Sequence, residues 1–465
     1  MRSRKAQKVI PNYQSNFQHQ IKVIRVSLAL FVYFIAVIGL TLSNLQVEFQ
    51  YIEFTIWLMS IIQMVRIFLY GRIDSLGIIL ATTGIFLFYL PSLAIVSILQ
   101  LDIVLPLFVF IATVDLLNYF TRSVKKIIPK VTSPRRLPIL KWPLLWWVIL
   151  AIWMSISGAI IDTQRGDFLS PFLFFVPFGL SLVIYEKMLS EGLNKKASLL
   201  IIAAYFLLVF LYTVFYWSGF GRLVVGAFIL MPVLLLNAYR DVGVRLWYVI
   251  LSAPIILYFA QKTRYTSIEG AQQVFIGSAG HHLILTNDLQ YRPISQYFGG
   301  WDIFFEQYLL LFLNWFPRVL WPDKPIGLGL TSVDTMFGRR GLGVGEGYSQ
   351  SLSFVGEQLY SLGGWFFIGL SVTLVTLFLL RLFVARCSRG FVTPLIIFDV
   401  NLISYFWGGS ATFGSRVWFF LLPTILFIWV FRRFKWGEVK EISIMSLRRG
   451  NKEIDVSAMK ASRNQ

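Results

Sequence analysis

The sequence predicts an all-α integral membrane protein with about 12 transmembrane helices, because apolar runs of roughly 20 residues recur along it. The chain of 465 residues is 57% hydrophobic and 14% charged, with a mean hydropathy of +0.69. A soluble domain carries about 25% charged residues. Fifteen Trp and twenty Tyr suit the aromatic belts at the two membrane interfaces.

Each predicted span is an apolar run bounded by polar or charged residues. The first run lacks a signal-peptide cleavage pattern, so we interpret it as a retained span. The predicted spans are 26–44, 54–70, 76–98, 103–120, 142–161, 168–185, 198–217, 222–238, 246–260, 363–383, 391–408 and 416–432.

The distribution of basic residues predicts the orientation. Segment 122–141 contains seven Lys or Arg and no acid. Arg381, Arg386 and Arg389 lie at a span end or in a loop that, with alternating spans, falls on the same side of the membrane. The positive-inside rule places these loops in the cytoplasm. The net charge of +19 therefore indicates topology and contact with anionic lipid rather than binding of nucleic acid.

Five regions follow from this topology. A basic cytoplasmic N-terminus (1–25) precedes spans 1–9 (26–260), a large extracytoplasmic loop (261–362), spans 10–12 (363–432) and a basic cytoplasmic tail (433–465). Within the loop, 301–316 is apolar but too short to cross the bilayer, which predicts an interfacial or re-entrant helix. The glycine-rich stretch 326–347 shows no periodicity, and we expect it to be non-helical.

Three arginines lie beside the predicted outer ends of spans: Arg222 in SGFGRLVV, Arg318 in FPRVLWPDKP and Arg416 in FGSRVWFF. A guanidinium can bind phosphate with two parallel hydrogen bonds. Arg222 and Arg416 are expected to begin helices, whose free N–H groups favour anions. Snorkelling to the surface is the alternative for each. Arg264 and Arg292 of the large loop are additional candidates.

The acidic candidates lie in the same outer region. Glu346 and Glu357 precede the tenth span, and Asp323 lies in the WPDKP turn. A carboxylate there can act as a general base towards a hydroxyl if its pKa suits the task. An ordinary loop ion pair is the alternative. His281, with its neighbour His282, is a further candidate base.

Asp399 lies in the middle of the eleventh span. We interpret it as a polar contact between helices, because no other span offers an obvious basic partner at that depth. The single cysteine, Cys387, and the three histidines, two of which are adjacent, do not form a metal-binding pattern. We expect no metal and no cofactor, and the missing G-x-x-x-x-G-K-[ST] pattern excludes a P-loop ATPase.

Four segments resemble the bacterial Wzy-type polymerases, which join oligosaccharide repeat units into O-antigen, capsule or exopolysaccharide. These segments are SGFGRLVVGAF (218–228), FPRVLWPDKP (316–325), GEGYSQSLSFVGEQLYSLGGWFFIG (345–369) and GSRVWFFLLP (414–423). Their order agrees with that of the family, and the resemblance covers residues 210–430. The first two hundred residues match in hydropathy alone.

The resemblance implies a GT-C-type membrane glycosyltransferase in the bacterial inner membrane. Its substrates would be oligosaccharides linked to undecaprenyl diphosphate, and a hydroxyl of one would displace the lipid diphosphate of the other. Arg222, Arg416 and Arg318 would bind the diphosphate, with Glu357 or Glu346 as the base. A flippase and a chain-length regulator of the same pathway would be its partners.

Three other functions are compatible with the topology. An O-antigen ligase shares it, but typically has a histidine where this chain reads YSQSLSFVGEQ. A transporter of lipid-linked sugars would line a path through the bilayer with charged residues, whereas the charges here concentrate at the predicted outer face. A non-catalytic scaffold would not need arginines at glycine turns.

Overall fold

The computed structural model describes residue 79, 169–190, parts of 202–210, 222–240, 300–336 except 317 and 319, 352–388 and 390–433. All the regular structure in these residues is helical. The helices are α1 (Leu169–Ser190), α2 (Arg222–Arg240), α3 (Gly300–Leu313), α4 (Leu328–Met336), α5 (Ser353–Leu362), a 3₁₀ turn (Gly363–Trp365), α6 (Phe366–Cys387) and α7 (Thr393–Arg433).

Two of the described helices are long and apolar enough to cross a membrane: Ile368–Cys387 within α6, and Thr393–Trp429 within α7. Their composition explains this, because both are built from aliphatic and aromatic residues with few charges. An exposed stripe on α6, formed by Val372, Val375, Leu379 and Phe383, suits contact with lipid. The described part is therefore consistent with a helical membrane protein.

Helix α7 is not a straight rod, because Gly409 has φ 76° and ψ −166°. Thr393 donates a hydrogen bond to the carbonyl of Leu182 (3.4 Å), and Thr424 packs against Gly179 of the same turn of α1. In a straight helix, Thr393 and Thr424 would lie about 46 Å apart. The chain therefore folds back at Gly409 into two halves, α7a (393–408) and α7b (410–433).

The reversal separates two helical runs in the region where the sequence predicts spans 391–408 and 416–432. The predicted turn over 409–415 is much shorter than expected, since helical geometry resumes at Ser410. Arg416 consequently lies inside α7b and does not begin a helix, so that prediction was wrong. A glycine without a side chain can adopt the positive φ that such an abrupt reversal needs.

Aromatic packing fixes the direction of α1 and α2. Phe178 stacks on Phe228 with ring centroids 4.0 Å apart, and the Tyr239 hydroxyl hydrogen-bonds Glu186 further along the same two helices. Thus α1 and α2 run parallel, whereas α6 and α7a are antiparallel neighbours joined by a short turn. These relative directions are the ones that alternating spans 6, 8, 10 and 11 predict.

The reversal lies below the start of α6. The sixteen residues of α7a span about 24 Å, whereas the 22 residues of α6 span about 33 Å, slightly more than the hydrocarbon thickness of roughly 30 Å. Exposed Trp365 precedes α6, and exposed Trp301 lies at the start of α3. Tryptophans favour the membrane interface, so the α7 reversal is expected about 9 Å below that level.

Helices α3 and α5 cover the reversal. The helix predicted over 301–316 is present as α3, and it packs against α5 and α7. The 326–347 stretch was expected to be non-helical, but Leu328–Met336 forms α4. Helix α5 was not predicted; in its first turn Ser353 Oγ accepts the N–H of Gly356 (3.3 Å).

The C-terminal end of α3 touches α7b through backbone groups. The carbonyl of Leu311 accepts a hydrogen bond from Trp418 Nε1 (2.8 Å), and Asn314 Nδ2 donates to the carbonyl of Ala411 (2.6 Å). A Cβ on Gly414 would overlap the carbonyl of Leu310. This contact places the loop after α3 directly beside the α7 reversal.

Candidate functional site

The centre of the candidate site is Glu357 on α5, whose carboxylate lies against the α7 reversal. Its Oε2 accepts the backbone N–H of Ser410 (2.7 Å) and its Oε1 accepts the Ser410 hydroxyl (2.6 Å). Gln358 Nε2 donates to Oε1 at 3.3 Å. Glu357 is 3% exposed, so these donors take the place of water.

Gly409 permits this approach for two separate reasons. Its φ of 76° is unfavourable for residues with a side chain. In addition, a Cβ at this position would overlap Glu357 Oε2. The carboxylate therefore caps the first free N–H of α7b, where the partial positive charge of the helix favours an anion.

Burial raises the pKa of Glu357 to about 7, although the two hydrogen bonds from Ser410 lower it. Burial dominates because removing a carboxylate from water disfavours its charged form. A hydrogen bond to a charged group typically contributes about 1.5–3 kcal/mol, which is less than a deeply buried charge loses. Near neutral pH both protonation states of Glu357 are populated.

Arg416 lies six residues after Ser410 on α7b. Its Nη1 donates to Ser404 Oγ on α7a (3.0 Å), so the guanidinium bridges the two halves of the reversal. It is half-buried. The structure thus brings Glu357 and Arg416, both predicted site residues, to the same end of the α7 hairpin.

The loop after α3 is held by its own cations. Arg318 is exposed and donates to the carbonyls of Lys324 (2.9 Å) and Pro325 (3.4 Å). Lys324 donates to the carbonyls of Asn314 (2.5 Å) and Phe316 (3.0 Å). Partial burial, and then the charge of Arg318, lower the pKa of Lys324 to about 8.

This loop also touches the reversal, because a Cβ on Gly327 would lie 3.0 Å from that of Ala411. Lys324 was missed by the sequence analysis, and its signal was its place in the WPDKP turn beside the end of a helix. Asp323 is exposed in the same turn, where it can reach solvent.

The remaining predicted site residues divide into two groups. Arg222 begins α2 as expected, so the helix start that the sequence analysis invoked is present there. The other four predicted residues lie outside the described part of the chain: Glu346, Arg264, Arg292 and His281.

A second polar contact is buried between α6 and α7a. Arg381 Nε donates to Asp399 Oδ1 (2.7 Å), and Nη2 donates to Oδ2 (3.0 Å). The expectation of a polar contact between helices is correct for Asp399, but the view that it has no basic partner was wrong. Arg381 was counted with the cytoplasmic loop because it lies near the end of a span.

A third buried carboxylate, Glu186 of α1, caps the start of α7a. Its oxygens accept the N–H groups of Val392 (2.6 Å) and Thr393 (2.8 Å), together with the Tyr239 hydroxyl. The role of Glu186 was not predictable from the sequence, because its partners lie more than fifty residues away. Each half of α7 therefore starts on a glutamate supplied by another helix.

No family model, curated protein or solved structure matches this chain. Within the described residues, no three His, Cys, Asp or Glu side chains come together in a way that could hold a metal ion. The described groups at the reversal include a carboxyl with a near-neutral pKa, the Ser410 hydroxyl and the Arg416 guanidinium.

Proposed function

We propose that this protein is a Wzy-type polymerase, which joins oligosaccharide repeat units carried on undecaprenyl diphosphate at the outer face of a bacterial plasma membrane. The GT-C-type fold, about 12 spans and cytoplasmic termini belong to the same proposal. Its partners would be the lipid-linked substrates, a flippase and a chain-length regulator of the pathway.

One observation supports this proposal most strongly: the segments that carry the resemblance meet at α7. The first and third contact it, the second lies between two residues that contact Ala411, and the fourth is part of α7b. Glu357 of the third segment binds Ser410. The second, 316–325, continues the α3 end that binds Ala411 and Trp418. Phe228 of the first segment packs edge-on against Phe420 of the fourth, with ring centroids 5.5 Å apart.

The proposed reaction needs a base and a site for a diphosphate. The acceptor hydroxyl attacks the anomeric carbon of the donor while the bond from that carbon to the diphosphate oxygen breaks. The diphosphate leaves with the bonding electrons, and the hydroxyl proton passes to a carboxylate. Arg416, Arg318 and Arg222 would stabilise the developing negative charge, since each such donor typically lowers the barrier by about 3 kcal/mol.

The two acids differ in their suitability as the base. Both oxygens of Glu357 already accept hydrogen bonds from Ser410. Glu346 is therefore the better candidate to accept the hydroxyl proton, and Glu357 is the alternative.

The test is polymerisation by the purified protein in lipid, supplied with an undecaprenyl-diphosphate-linked oligosaccharide. We expect a ladder of repeat units that Arg416→Ala and Arg222→Ala weaken at least tenfold. Arg386→Ala, on the exposed surface near the other end of α6, is the matched control and should leave the ladder intact. Transfer of a single chain to a different acceptor, without a ladder, would instead indicate a ligase.

A transporter of lipid-linked oligosaccharide is the second candidate, and the buried Arg381–Asp399 pair favours it. Charged groups inside a membrane often mark a transport path, and broken helices often form the binding sites of transporters. Movement of the lipid-linked sugar between leaflets of proteoliposomes, with no new glycosidic bond, would support this candidate over polymerisation.

A further inference from the structure

We infer that Glu357 is a positioning residue: it holds the first turn of α7b and so determines where Arg416 lies. The inference rests on the proposed function, because that function assigns Arg416 to the substrate diphosphate. It replaces the role of general base that the sequence suggested for Glu357.

The geometry of the carboxylate favours an anchor over a base. A general base needs an oxygen that can reach the substrate proton. Both oxygens of Glu357 are instead within 2.7 Å of Ser410, and its side chain is buried against the reversal. The carboxylate cannot release Ser410 without leaving an N–H and a hydroxyl unpaired in the protein interior, which is unfavourable.

The anchor acts at the point where α7b begins. Ser410 is the first residue after the reversal, and Arg416 follows less than two turns later, about 9 Å along the helix axis. A helix that loses its cap frays from that end. Fraying or rotation of this first part would move the guanidinium, and a displacement near 1 Å can lower a catalytic rate about 100-fold.

The side chains that hydrogen-bond to Glu357 are uncharged. Its hydrogen-bonding partners are Ser410 and Gln358. Tyr405 of α7a is the ionisable side chain that interacts with it electrostatically.

The amide variant separates an anchor from a base. In Glu357→Gln, the amide oxygen can accept the Ser410 N–H, and the amide nitrogen can donate to the Ser410 hydroxyl after that hydroxyl rotates. The Gln358 amide, which donates to Glu357 in the wild type, must turn so that its oxygen accepts instead. The anchor survives but the base is lost. Glu357→Ala removes both, and Ser410→Ala removes one of the two contacts while leaving the acid in place.

The first measurement is hydrogen exchange of the amides at 410–416 in the full-length protein in detergent, compared across the variants. We expect exchange in Glu357→Gln within about threefold of wild type and at least tenfold faster exchange in Glu357→Ala, with Ser410→Ala between them. Glu306→Gln, on the exposed face of α3, is the matched control. Unchanged exchange in both alanine variants would refute the anchor, whatever the protein catalyses.

The second measurement is the affinity of the same proteins for inorganic pyrophosphate, with Arg416→Ala as the reference for a lost guanidinium. The dissociation constant should rise about tenfold in Glu357→Ala, less in Ser410→Ala, and under threefold in Glu357→Gln. If Arg416→Ala abolishes binding while Glu357→Ala leaves it unchanged, Glu357 does not position Arg416. A wild type that does not bind pyrophosphate, or an Arg416→Ala variant that still does, likewise excludes the inference.

Turnover distinguishes this inference from the proposed function. If Glu357 is the base, Glu357→Gln will lose polymerisation as completely as Glu357→Ala, by about 10²–10⁴-fold, and the inference is wrong. If the wild type makes no polymer but exchange and pyrophosphate affinity follow the expected order, the polymerase proposal fails while the role of Glu357 towards Arg416 is retained.

Discussion

At the scale of single residues, Gly409 combines two requirements that an alanine cannot meet together. Its φ of 76° is strained for any residue with a Cβ, and that Cβ would overlap the Glu357 carboxylate. Substitution therefore imposes backbone strain and also displaces the cap of α7b.

We predict that Gly409→Ala lowers the free energy of unfolding by roughly 2–4 kcal/mol, the sum of an unfavourable φ and a lost charged hydrogen bond. Titration of the detergent-solubilised protein with denaturing detergent measures this. Gly226→Ala is the matched control, because nothing lies within 4 Å of a Cβ built there and alanine favours a helix. Equal stability of the two variants would contradict the role given to Gly409.

Glu357 also makes stability depend on pH. Its pKa is raised from 4.5 to about 7 in the folded protein, so the folded state binds this proton more tightly than the unfolded state. Stability is then highest below pH 4.5 and falls as the pH rises through about 7. The full difference is roughly 3 kcal/mol, at about 1.4 kcal/mol per pKa unit.

Glu357→Gln removes this ionisation and should flatten the dependence between pH 5 and pH 8. The measurement is the unfolding midpoint at several pH values, with Glu306→Gln as the control that keeps the wild-type slope. A wild-type midpoint that rises over this interval, with a slope that Glu357→Gln abolishes, would show that the sign is wrong.

At the scale of helices, α6 and α7a are joined by a pair of opposite charges. Arg381 and Asp399 are both nearly inaccessible, with side-chain exposures of 7% and 0%. Removing one member of such a pair leaves the other charge buried, which costs about 3–5 kcal/mol, whereas replacing both by apolar residues is often neutral.

We therefore predict that Arg381→Met and Asp399→Leu each destabilise the protein by about 3 kcal/mol or more. The double variant should recover most of this loss. Arg386→Met, exposed on the same helix, provides the control. The double variant also tests the transporter candidate. If it folds normally but no longer moves lipid-linked sugar between leaflets, the pair belongs to a transport path and that candidate gains support.

The sequence predicted these helices better than the contacts between them. Hydropathy located α6, both halves of α7 and α3, because long apolar runs and their interruptions are local features. It did not predict that Arg381 meets Asp399 or that Glu186 caps Thr393, because such pairings depend on helix rotation and long-range packing. Helices α4 and α5 were missed because their glycines and serines resemble loop sequence.

For the candidate site, too, the sequence predicted the residues better than the contacts between them. Glu357, Arg416 and Arg318 were chosen from residue type and from proximity to span ends, and the structure places them around one reversal. Their roles within it were not predictable: Arg416 bonds Ser404 across the hairpin, and Arg318 holds carbonyls of its own loop. Gly409 was not singled out, since the sequence contains 34 glycines and only the fold shows which one has a positive φ against a carboxylate.

At the scale of the whole molecule, the described helices determine which ends lie together. Glu186, Tyr239 and Thr393 meet at one end of the bundle, whereas Glu357, Ala411 and the loop after α3 meet at the other. Alternating spans require this grouping, and the basic loops predict that the Glu186 end is cytoplasmic. Membrane sidedness can be tested because the chain has a single cysteine, Cys387, near that end.

We predict that a membrane-impermeant maleimide labels a cysteine at position 323, but not Cys387, when applied from outside intact cells. The probe protein is Asp323→Cys combined with Cys387→Ala, since Asp323 is exposed in the loop beside the reversal. In the wild-type protein Cys387, which is partly accessible, should react only after the membrane is permeabilised. Labelling after permeabilisation is the positive control for each site. Labelling of Cys387 from outside, with protection of position 323, would show that the topology is the reverse of the one proposed. The Glu357–Arg416 site would then lie in the cytoplasm, where it could not act on lipid-linked sugars exported to the outer face.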